Sequence, residues 1–570
     1  MVIKKLALAT LFVPTLLCAS LANAAVHKKP NVLIILADDL GYSDSEPFGS
    51  EIKTPNIKKL AQDGALLTNF HAGPTCSVTR SMLLTGNDSH QAGLGTMAEL
   101  LEPEQRGKDG YEGSLNQRVM TLPEILDSQG YVSFMAGKWH LGKNPDSIPS
   151  ARGFTKSFAL IPGGASHMDA QPLLPGHYKA LYMEDGKEVS LPKDFFSTNY
   201  YTDKMLSYLK NDRKKGQPFF AYLAYTSPHW PLQAPDAFLA KYKNSYKEGY
   251  EYIRSHRLQR QIALGLIPKG TKANVPLADK LPAWDQLTPA QKAEQIKTMQ
   301  IYAAMIDNLD FNIGRVINYL KKSGELDNTF ILFMSDNGAE GATPETVSES
   351  KNGIRDWVDK NFDNSLENMG RKGSYVMLGP QWAQVSETPF PYFKSFLADG
   401  GIHVPAIIRY PKLVKEGVIK SNFIHVEDFV PSILQLTHTQ HPTTFNGHPV
   451  LKMEGSSFLP IFKNQKLPKR SFGWEFNTRR ALYRGDWKLQ LQAPPYGTGS
   501  WELYNRKTDP SYLHNVAAQH PDIVKKLAKD WDQYAQHVGV VTAPARHKYG
   551  QVNCLFNTCV GPANLVNAGE

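Results

Sequence analysis

The segment Asn31-Val-Leu-Ile-Ile-Leu-Ala-Asp38-Asp39 joins an uninterrupted apolar run to two adjacent carboxylates. A run rich in Val, Ile and Leu is typical of a strand buried on both faces of a parallel sheet. A helical pattern follows, opened by Thr54-Pro55 and closed by Gly64, and a second strand pattern covers residues 65–70. This alternation predicts an α/β fold with a mainly parallel sheet, in which functional residues lie beyond the carboxyl ends of the strands.

The same alternation continues along the chain. It predicts further strands at residues 131–136, 218–225, 329–334 and 404–410, and helices at residues 122–128, 293–322 and 427–436. Residues 241–292 are polar and predict an irregular excursion from the sheet. Residues 339–391 indicate a long insertion that shapes a substrate pocket, and its aromatic residues either line that pocket or pack in a core. Those aromatic residues are Tyr375, Trp382 and Phe390.

A different pattern begins near residue 467. A hairpin around Gly485-Asp486, a short strand at residues 501–504 and a helix at residues 523–538 predict a small antiparallel sheet with one packed helix. The chain has 570 residues, which exceeds the ~250 to 300 at which a single core usually divides. We therefore expect a catalytic α/β domain at residues 25–466 and a C-terminal α+β subdomain at residues 467–570.

The first 24 residues have the pattern of a secretory signal peptide. Lys4 and Lys5 precede an apolar run from Leu6 to Leu17, and Ala22-Asn23-Ala24 offers a small-residue cleavage site. No other stretch approaches the ~20 apolar residues that span a bilayer. We expect an exported protein, periplasmic or secreted, without a stable membrane anchor.

The basic residues are dispersed along the chain. The formal net charge is +9, yet there is no arginine stripe and no alternation of basic and aromatic residues, so nucleic-acid binding is not indicated. The positive charge suits either an anionic substrate or simply a basic surface.

Cysteine spacing singles out one residue. Cys554 and Cys559 are five residues apart, which suits a small disulfide loop in an oxidising compartment, and Cys18 belongs to the signal peptide. Cys76 is then unpaired. An unpaired cysteine in an exported protein is either a buried thiol or a reactive or modified one.

Cys76 begins a predicted helix, after Thr75 as a plausible N-cap. The free N–H groups and the positive dipole of a helix N-terminus favour an anion, so we expect a lowered thiol pKa. Arg80 lies one turn later on the same face and keeps its charge. The pattern predicts a cysteine and a fixed cation facing one oxyanion, and the alternative is a buried cysteine under an exposed arginine.

Two predicted strand ends carry oxygen donors: Asp38-Asp39 in the opening segment and Asp336-Asn337 within Ser335-Asp-Asn-Gly338. This set suits a hard cation. Calcium is the first choice because it accepts a carboxamide and irregular carboxylate geometry, whereas magnesium prefers an octahedron with several waters. Manganese remains an alternative.

Basic side chains occupy other loops. In Gly137-Lys-Trp-His-Leu-Gly142, an extended backbone would point Lys138 and His140 to the same side. His229 follows the strand at residues 218–225, and Lys394 follows the insertion. Taken alone, His229 is as well explained as a structural loop residue and Lys394 as a solvated charge.

Together these segments resemble the type I sulfatase family, most closely the bacterial exported arylsulfatases. The resemblance covers most of the mature chain, in seven ordered landmarks: Asp38-Asp39, the signature from Cys76 to Gly86, Tyr111-Glu-Gly113, Gly137–Gly142, Ser335–Gly338, Lys394 before Gly400-Gly401, and Glu502-Leu-Tyr504 with Thr508-Asp-Pro510. It implies an alkaline-phosphatase-like α/β fold, with a large mixed, mainly parallel sheet flanked by helices and a smaller antiparallel sheet with a helix.

The resemblance also implies a mechanism. A maturation enzyme would oxidise Cys76 to formylglycine, whose hydrated aldehyde is the nucleophile that hydrolyses a sulfate ester of a phenol or similar small alcohol. One calcium ion would be bound by the set Asp38, Asp39, Cys76, Asp336 and Asn337. The implied catalytic set is Cys76, Arg80, Lys138, His140, His229, Asp336 and Lys394.

Within that set the resemblance gives individual roles. Arg80 would hold the aldehyde and the sulfate, and Asp336 would be the base for the attacking hydroxyl. Lys138, His229 and Lys394 would neutralise the sulfate charge, and the last two would assist departure of the leaving group. His140 would take the proton whose removal expels sulfate.

The signature departs from the family at Val78, where Pro or Ala is usual. Two other functions therefore stay open. One is a catalytically silent relative that binds a sulfated ligand through an unmodified Cys76. The other is hydrolysis of phosphate or phosphonate esters, since the same charges could bind either anion.

Overall fold

The computed structural model describes residues 28–348, 350 and 352–566. Its main sheet has the spatial order β10-β2-β9-β8-β1-β7-β3-β4-β5-β6, with β11 paired beside β2. The strands are β1 (Asn31–Ala37), β2 (Ala65–His71), β3 (Val132–Lys138), β4 (Lys156–Leu160), β5 (Tyr182–Glu184), β6 (Lys187–Glu188), β7 (Phe219–Ala224), β8 (Thr329–Ser335), β9 (His403–Arg409), β10 (Val418–Lys420) and β11 (Ile424–His425). The predicted signal peptide lies outside the described residues.

Strand β1 lies at the centre of this sheet and pairs in parallel with both β7 and β8. All of its residues are buried. Alternate side chains enter different cores. Leu33 and Ile35 belong to one core, together with residues of helix α8 (Pro289–Lys322), and Val32 and Ile34 belong to the other. Strand β9 is antiparallel to both β2 and β8, so the sheet is mixed but mainly parallel, as predicted.

Helices cover both faces of the sheet. They are α1 (Pro55–Gln62), α2 (Cys76–Thr85), α3 (Ser89–Ala92), α4 (Leu122–Asp127), α5 (Ser197–Asn211), α6 (Asp236–Leu239), α7 (Tyr250–Ala263), α8 (Pro289–Lys322), α9 (Arg355–Asn361), α10 (Pro380–Ser386), α11 (Asp399–Ile402), α12 (Phe429–Thr437), α13 (Pro521–Val538) and α14 (Ala563–Val566). None of the helices in the described part of the chain is long and apolar enough to cross a membrane.

The irregular excursion predicted at residues 241–292 was wrong in one respect, because it contains α7. The buried face of this helix includes Arg254, Arg257 and Gln261 beside Tyr250 and Ile253. It therefore lacks the continuous apolar stripe by which a helix is recognised in a sequence. Arg257 is fully buried and pairs with Asp44 at 2.5 Å and with Glu51 at 2.9 Å. Helix α7 thus packs through ion pairs as well as through apolar side chains such as Tyr250.

The small antiparallel sheet and its packed helix are confirmed. The sheet has the order β14-β15-β16-β17, and α13 packs on it through Leu527 and Trp531. One hairpin precedes this sheet in the chain and another follows it, and the second is closed by the predicted disulfide between Cys554 and Cys559. These strands are β12 (Thr444–Phe445), β13 (His448–Pro449), β14 (Ser471–Phe476), β15 (Arg479–Arg484), β16 (Trp487–Leu491), β17 (Trp501–Asn505), β18 (Asn553–Leu555) and β19 (Thr558–Val560). The domain boundary at residues 466/467 stays a prediction.

A buried histidine joins the main domain to the small sheet. His90 Nδ1 lies 2.8 Å from Asp88 Oδ1, and His90 Nε2 lies 3.7 Å from Glu475 Oε2 on β14. Asp88 also accepts a hydrogen bond from Tyr534 of α13. Burial lowers the pKa of His90, but the two carboxylates raise it more, to about 9. The imidazolium is therefore the form that this junction stabilises.

The raised pKa of His90 predicts a loss of stability in mild alkali. With an unfolded pKa near 6.5, the His90 contribution is complete below about pH 6.5 and is lost as pH rises through about 9. The shift corresponds to roughly 3 kcal/mol. We expect the wild type to lose more unfolding free energy than His90→Gln between pH 6 and pH 9.5 in urea titrations. Parallel pH profiles for the two proteins would contradict this assignment.

Candidate active site

The two predicted carboxylate pairs meet at one edge of the sheet. Strands β1 and β8 are parallel neighbours with Ala37 opposite Ser335, so the residues after each strand emerge side by side. The Asp39 backbone N–H donates to Asp336 Oδ1 at 3.2 Å, and Asn337 Nδ2 donates to Asp39 Oδ1 at 2.6 Å. Asp38 and the other three side chains are buried.

Cys76 is the first residue of α2, as predicted, and its side chain faces these carboxylates. Its Sγ atom lies 3.4 Å from Asp38 Oδ1 and 3.9 Å from Asp39 Oδ1. Arg80, one turn later, donates through Nε and Nη2 to Asp336 Oδ2 at 3.0 and 2.8 Å. Arg80 is fully buried, so the alternative of an exposed arginine over a buried cysteine was wrong.

The expectation of a lowered thiol pKa was also wrong. Cys76 is 1% exposed, and burial raises the pKa of its thiol well above the ordinary value despite the nearby Lys138 and Lys394. The carboxylates of Asp336 and Asp38 add to the increase. Burial and like charge therefore outweigh the two lysines, and the unmodified side chain is a neutral thiol.

Three fixed cations each pair with a carboxylate of the site: Arg80 with Asp336, Lys138 with Asp38, and Lys394 with Asp39. Lys138 Nζ lies 2.8 Å from Asp38 Oδ2, and Lys394 Nζ lies 2.8 Å from Asp39 Oδ1. Burial raises the pKa of Asp38, but Lys138 and Arg80 outweigh it and lower the pKa to about 2. At Asp39 burial outweighs Lys394, and the pKa rises to about 7. The two carboxyl groups thus differ in pKa, and a further cation beside Asp39 would favour its ionised form.

The donor set fits a bound cation. Asn337 Oδ1 is buried and lacks a hydrogen-bond donor among the described residues. Asp38, Asp39, Cys76 and His229 each offer a ligand atom within 4.8 Å of the others. His229 was not in the predicted metal set, whereas the predicted Asp336 uses one oxygen for Arg80. Oxygen donors still predominate, which favours a hard ion.

His229 presents an unprotonated nitrogen to this cluster. Its Nδ1 lies 2.6 Å from the carbonyl oxygen of Trp230, which can only accept, so Nδ1 carries the ring proton. Its Nε2 lies 3.6 Å from Asp39 Oδ2. Burial, Lys138 and Lys394 all lower the pKa of His229 well below its ordinary value, so the ring is neutral.

His140 reaches the site by a different route from the predicted one. Its backbone has φ +57°, which departs from the extended conformation expected after Lys138. Its Nε2 lies 3.3 Å from Glu99 Oε2, while its buried Nδ1 has no hydrogen-bond partner in the described part of the chain. Burial raises the pKa of Glu99, but His140 outweighs it and lowers the pKa to about 2.

A cavity of about 620 Å³ opens above these groups. Cys76, His140, His229 and Lys394 all line it. Most of the remaining lining is apolar and comes from two loops, at residues 94–100 and 161–181. The largest apolar side chains of these loops are Leu94, Met97, Leu100, Ile161, Leu173, Leu174 and Leu181.

The predicted role of the insertion at residues 339–391 was largely wrong. Among the described residues, Val347 is its only contribution to the cavity lining. Trp382 is fully buried and packs against Tyr250 and Trp284, so it belongs to a core. Tyr375 and Phe390 are likewise buried outside the lining.

Three further residues at the site were not predicted from the sequence. Glu99 lies in a short 3-10 turn at residues 98–100, Glu340 lies beyond the Asp336-Asn337 pair, and Tyr549 comes from the C-terminal tail. Glu340 Oε2 lies 3.1 Å from Lys394 Nζ and accepts from the Tyr549 hydroxyl at 2.7 Å. A glutamate just after a strand end could have been considered, but nothing local marked the other two.

Comparison with known proteins identifies the family. The family model described as Sulfatase matches residues 30–439, which is most of the chain. The chain belongs to the sulfatase family. A second model, described as N-sulphoglucosamine sulphohydrolase, C-terminal, matches residues 390–537 of this sulfatase.

Individual relatives agree with this assignment. This sulfatase is 47% identical to an uncharacterized sulfatase of Schizosaccharomyces pombe, over 91% of this chain and 96% of the relative. It is 41% identical to an arylsulfatase of Klebsiella aerogenes, over 83% and 98% of the two chains. The crystal structure of Ps i-CgsB with k-i-k-neocarrahexaose has a TM-score of 0.63 at 23% identity, covering 89% and 93%, and shows the shared fold. The activity class is sulfate-ester hydrolysis.

The contact between His140 and Glu99 predicts a moderate kinetic effect. Glu99→Gln keeps the size of the side chain but removes the charge beside His140 Nε2. We expect kcat for an aryl sulfate to fall about tenfold with little change in KM, because the base role that the family resemblance implies for His140 would act only in the reaction step. Glu112→Gln, at an exposed pair with Arg118, is the control. Equal kinetics in both variants would exclude this role.

Proposed function

We propose that this sulfatase hydrolyses sulfate esters of phenols or similarly small apolar alcohols, using a formylglycine derived from Cys76 and one bound calcium ion. The main support for this proposal is the position of Cys76, which lies at the foot of a largely apolar cavity. It is surrounded by the carboxylates of Asp38, Asp39 and Asp336 and by the cations Arg80, Lys138 and Lys394. The relative named arylsulfatase supports the aryl leaving group.

The cations suit a sulfate monoester. Arg80, Lys138 and Lys394 keep their charge, because neighbouring carboxylates raise the pKa of each against the effect of burial. A bound divalent ion would add to their charge, so an entering anion is attracted to a site of excess positive charge. Fixed cations at the sulfate oxygens stabilise the charge that develops there without reorganisation.

The state of Cys76 favours a modified side chain over a thiolate. The raised thiol pKa removes the form of cysteine that attacks electrophiles. Formylglycine at this position would supply a hydrated aldehyde, whose hydroxyl is a nucleophile without thiolate chemistry. Asp336 is the base proposed for that hydroxyl, because burial and Asp38 raise its pKa and make it a better proton acceptor.

The metal site would hold calcium through the oxygens of Asp38, Asp39, Asp336 and Asn337. When bound, the ion would polarise a sulfate oxygen and align the nucleophile. The buried Asn337 Oδ1 without a donor supports a role as ligand. Magnesium and manganese are the competing ions.

Lys394 is the proposed proton donor to the leaving group. It carries ammonium protons at the cavity floor, whereas His229 directs an unprotonated Nε2 towards the site. His229 therefore offers a hydrogen-bond acceptor to the site and is a poor proton donor. His140, with its free Nδ1, is proposed to take the proton whose removal releases sulfate.

Export completes the proposal. The signal peptide pattern supports a periplasmic or secreted location, and a formylglycine-generating enzyme is the implied maturation partner. By family precedent, maturation acts on the unfolded chain, so we place it before export. Val78, buried in the folded protein, would be read by that enzyme beforehand.

Two measurements on protein from its native host test this function. Mass spectrometry of the peptide that spans residues 70–80 should show Cys76 converted to the aldehyde. Turnover of 4-nitrophenyl sulfate should exceed that of 4-nitrophenyl phosphate. An intact thiol with no turnover would favour the silent binding relative, and faster phosphate cleavage would favour the phosphate ester alternative.

A further inference from the structure

We infer that the C-terminal tail completes the active site, with Tyr549 and Glu340 acting as positioning residues for Lys394. This inference rests on the proposed function, because it assigns a role in delivering the Lys394 proton. It concerns residues far from the Cys76 signature. Tyr549 lies beyond α13, in the segment that ends with the disulfide hairpin.

The three side chains form a continuous buried chain of contacts. Tyr549 donates to Glu340 Oε2 at 2.7 Å, and the same oxygen lies 3.1 Å from Lys394 Nζ. Trp230 Nε1 approaches Glu340 Oε2 at 3.4 Å. Lys394 Nζ also contacts Asp39 at 2.8 Å. Two anchors from different directions therefore fix the ammonium group.

This arrangement directs the remaining proton of Lys394. An ammonium group has three N–H donors, and Asp39 and Glu340 can each accept one. The third can point into the cavity that Lys394 and Tyr549 both line. Without Glu340, the ammonium would be held only by the two oxygens of Asp39, at 2.8 and 3.0 Å, and no contact would fix it from the opposite side. Glu340 therefore sets the direction, and Tyr549 holds Glu340.

The tail is anchored against the Lys394 loop itself. Arg479 of β15 donates to the carbonyl oxygens of both Ser395 and Gly550, which follow Lys394 and Tyr549 directly. Gly550 has φ +70°, and a Cβ there would lie 2.8 Å from the Ser395 Cβ. Only glycine allows this close approach without strain. One guanidinium thus joins the two loops that carry the positioning contact.

Further contacts hold the tail on either side of Tyr549. Before it, the Val541 N–H donates to the Tyr111 hydroxyl at 3.0 Å. After it, Asn553 Nδ2 donates to the Tyr496 hydroxyl at 2.7 Å, and that hydroxyl donates to the Val560 carbonyl at 2.5 Å. The first contact holds the tail on the catalytic domain and the others hold it within the small subdomain, so the segment that carries Tyr549 is fixed on both sides.

A leaving-group comparison tests this role. Phenyl sulfate needs a proton on its departing oxygen far more than 4-nitrophenyl sulfate, because phenolate is much the stronger base. Tyr549→Phe removes one hydroxyl and should lower kcat about tenfold for phenyl sulfate but less than about threefold for 4-nitrophenyl sulfate. A purely structural defect would slow both esters equally.

A double-mutant cycle places the effect at Glu340. Glu340→Gln should show the same leaving-group dependence, and adding Tyr549→Phe to it should change kcat less than about twofold. Tyr504→Phe is the matched control, since its hydroxyl donates to the buried Glu502 at 3.1 Å in the small sheet. The control should leave both rates within about twofold of the wild type.

The outcomes separate the two proposals. A wild type that cleaves neither ester overturns the proposed function and this inference with it. A wild type that cleaves both, with Tyr549→Phe slowing them equally or not at all, overturns only the positioning role. Independent losses in the double mutant would show that Tyr549 does not act through Glu340.

Discussion

Replacing Cys76 by alanine is expected to lower kcat for 4-nitrophenyl sulfate by at least about 10⁴-fold, the scale seen when a nucleophile is removed. The cations proposed to bind sulfate remain, so inorganic sulfate should still inhibit or bind. Alanine cannot be converted to an aldehyde and offers no hydroxyl. The loss should therefore appear in the reaction step and not in anion binding.

The variant should fold, which makes the kinetic result interpretable. The change removes one buried sulfur atom next to Asp38 and leaves every ion pair of the cluster in place. We expect a thermal midpoint within a few degrees of the wild type. Ser81→Ala, a buried position on the same helix, is the control and should keep Cys76 convertible.

Two results would contradict the assignment of Cys76. The first is more than about 1% of wild-type activity in the alanine variant with a normal melting curve. The second is full wild-type activity in protein whose Cys76 is shown by mass spectrometry to be entirely thiol. The first result would move the nucleophile elsewhere in the cavity, and the second would show that activity does not require the aldehyde.

The strands of the sheet and the polar residues at their ends follow from local patterns. The run from Asn31 to Leu36 is apolar at every position but the first and rich in Val, Ile and Leu, which favours a strand with both faces buried. Once β1 and β8 are parallel neighbours, the carboxyl ends of both strands meet at one edge. The local pattern thus places Asp38, Asp39, Asp336 and Asn337 at strand ends, and the long-range pairing of β1 with β8 brings those ends together.

The cavity walls and the tail could not be predicted in this way. The loops at residues 94–100 and 161–181 have no hydrophobic period, and their apolar side chains face a cavity that only the assembled fold creates. Tyr549 meets Glu340 across 209 residues of sequence. The prediction of a lowered pKa for Cys76 failed for a related reason. Burial by the whole domain raises this pKa more than the nearby Lys138 and Lys394 lower it.

Removal of bound metal should have the second largest effect. In the wild type we expect a chelator to reduce turnover of 4-nitrophenyl sulfate at least about 10³-fold and to lower the melting temperature by several degrees. An ion that binds only the folded state stabilises it by about 4 kcal/mol when present at 1,000 times its Kd. The chelator removes that contribution.

The carboxylate cluster explains why the effect extends to stability. Burial raises the pKa of Asp39 to about 7 against the opposing charge of Lys394, and the neighbouring carboxylates of Asp38, Glu340 and Asp336 add to the increase. Ionised Asp39 is therefore costly at neutral pH without further positive charge. A bound divalent ion supplies that charge, so metal-free protein should unfold more readily.

The response should be specific to this site. Asp39→Asn should lose most activity and should melt at the same temperature with and without chelator. Asp307→Asn is the control, because this buried carboxylate accepts a hydrogen bond from the Tyr242 hydroxyl. Its activity and melting temperature should respond to the chelator as those of the wild type do. A wild type whose activity and melting curve both ignore the chelator would contradict the metal assignment.

Restoring single ions to the chelated wild type then identifies the metal. Calcium should recover both activity and melting temperature, because it accepts the amide oxygen of Asn337 and a site that keeps few waters. Magnesium should recover less, since it releases its waters reluctantly and the buried cluster offers little room for them. Full recovery with manganese but not calcium would reassign the ion while leaving Asp38, Asp39, Asp336 and Asn337 as its ligands.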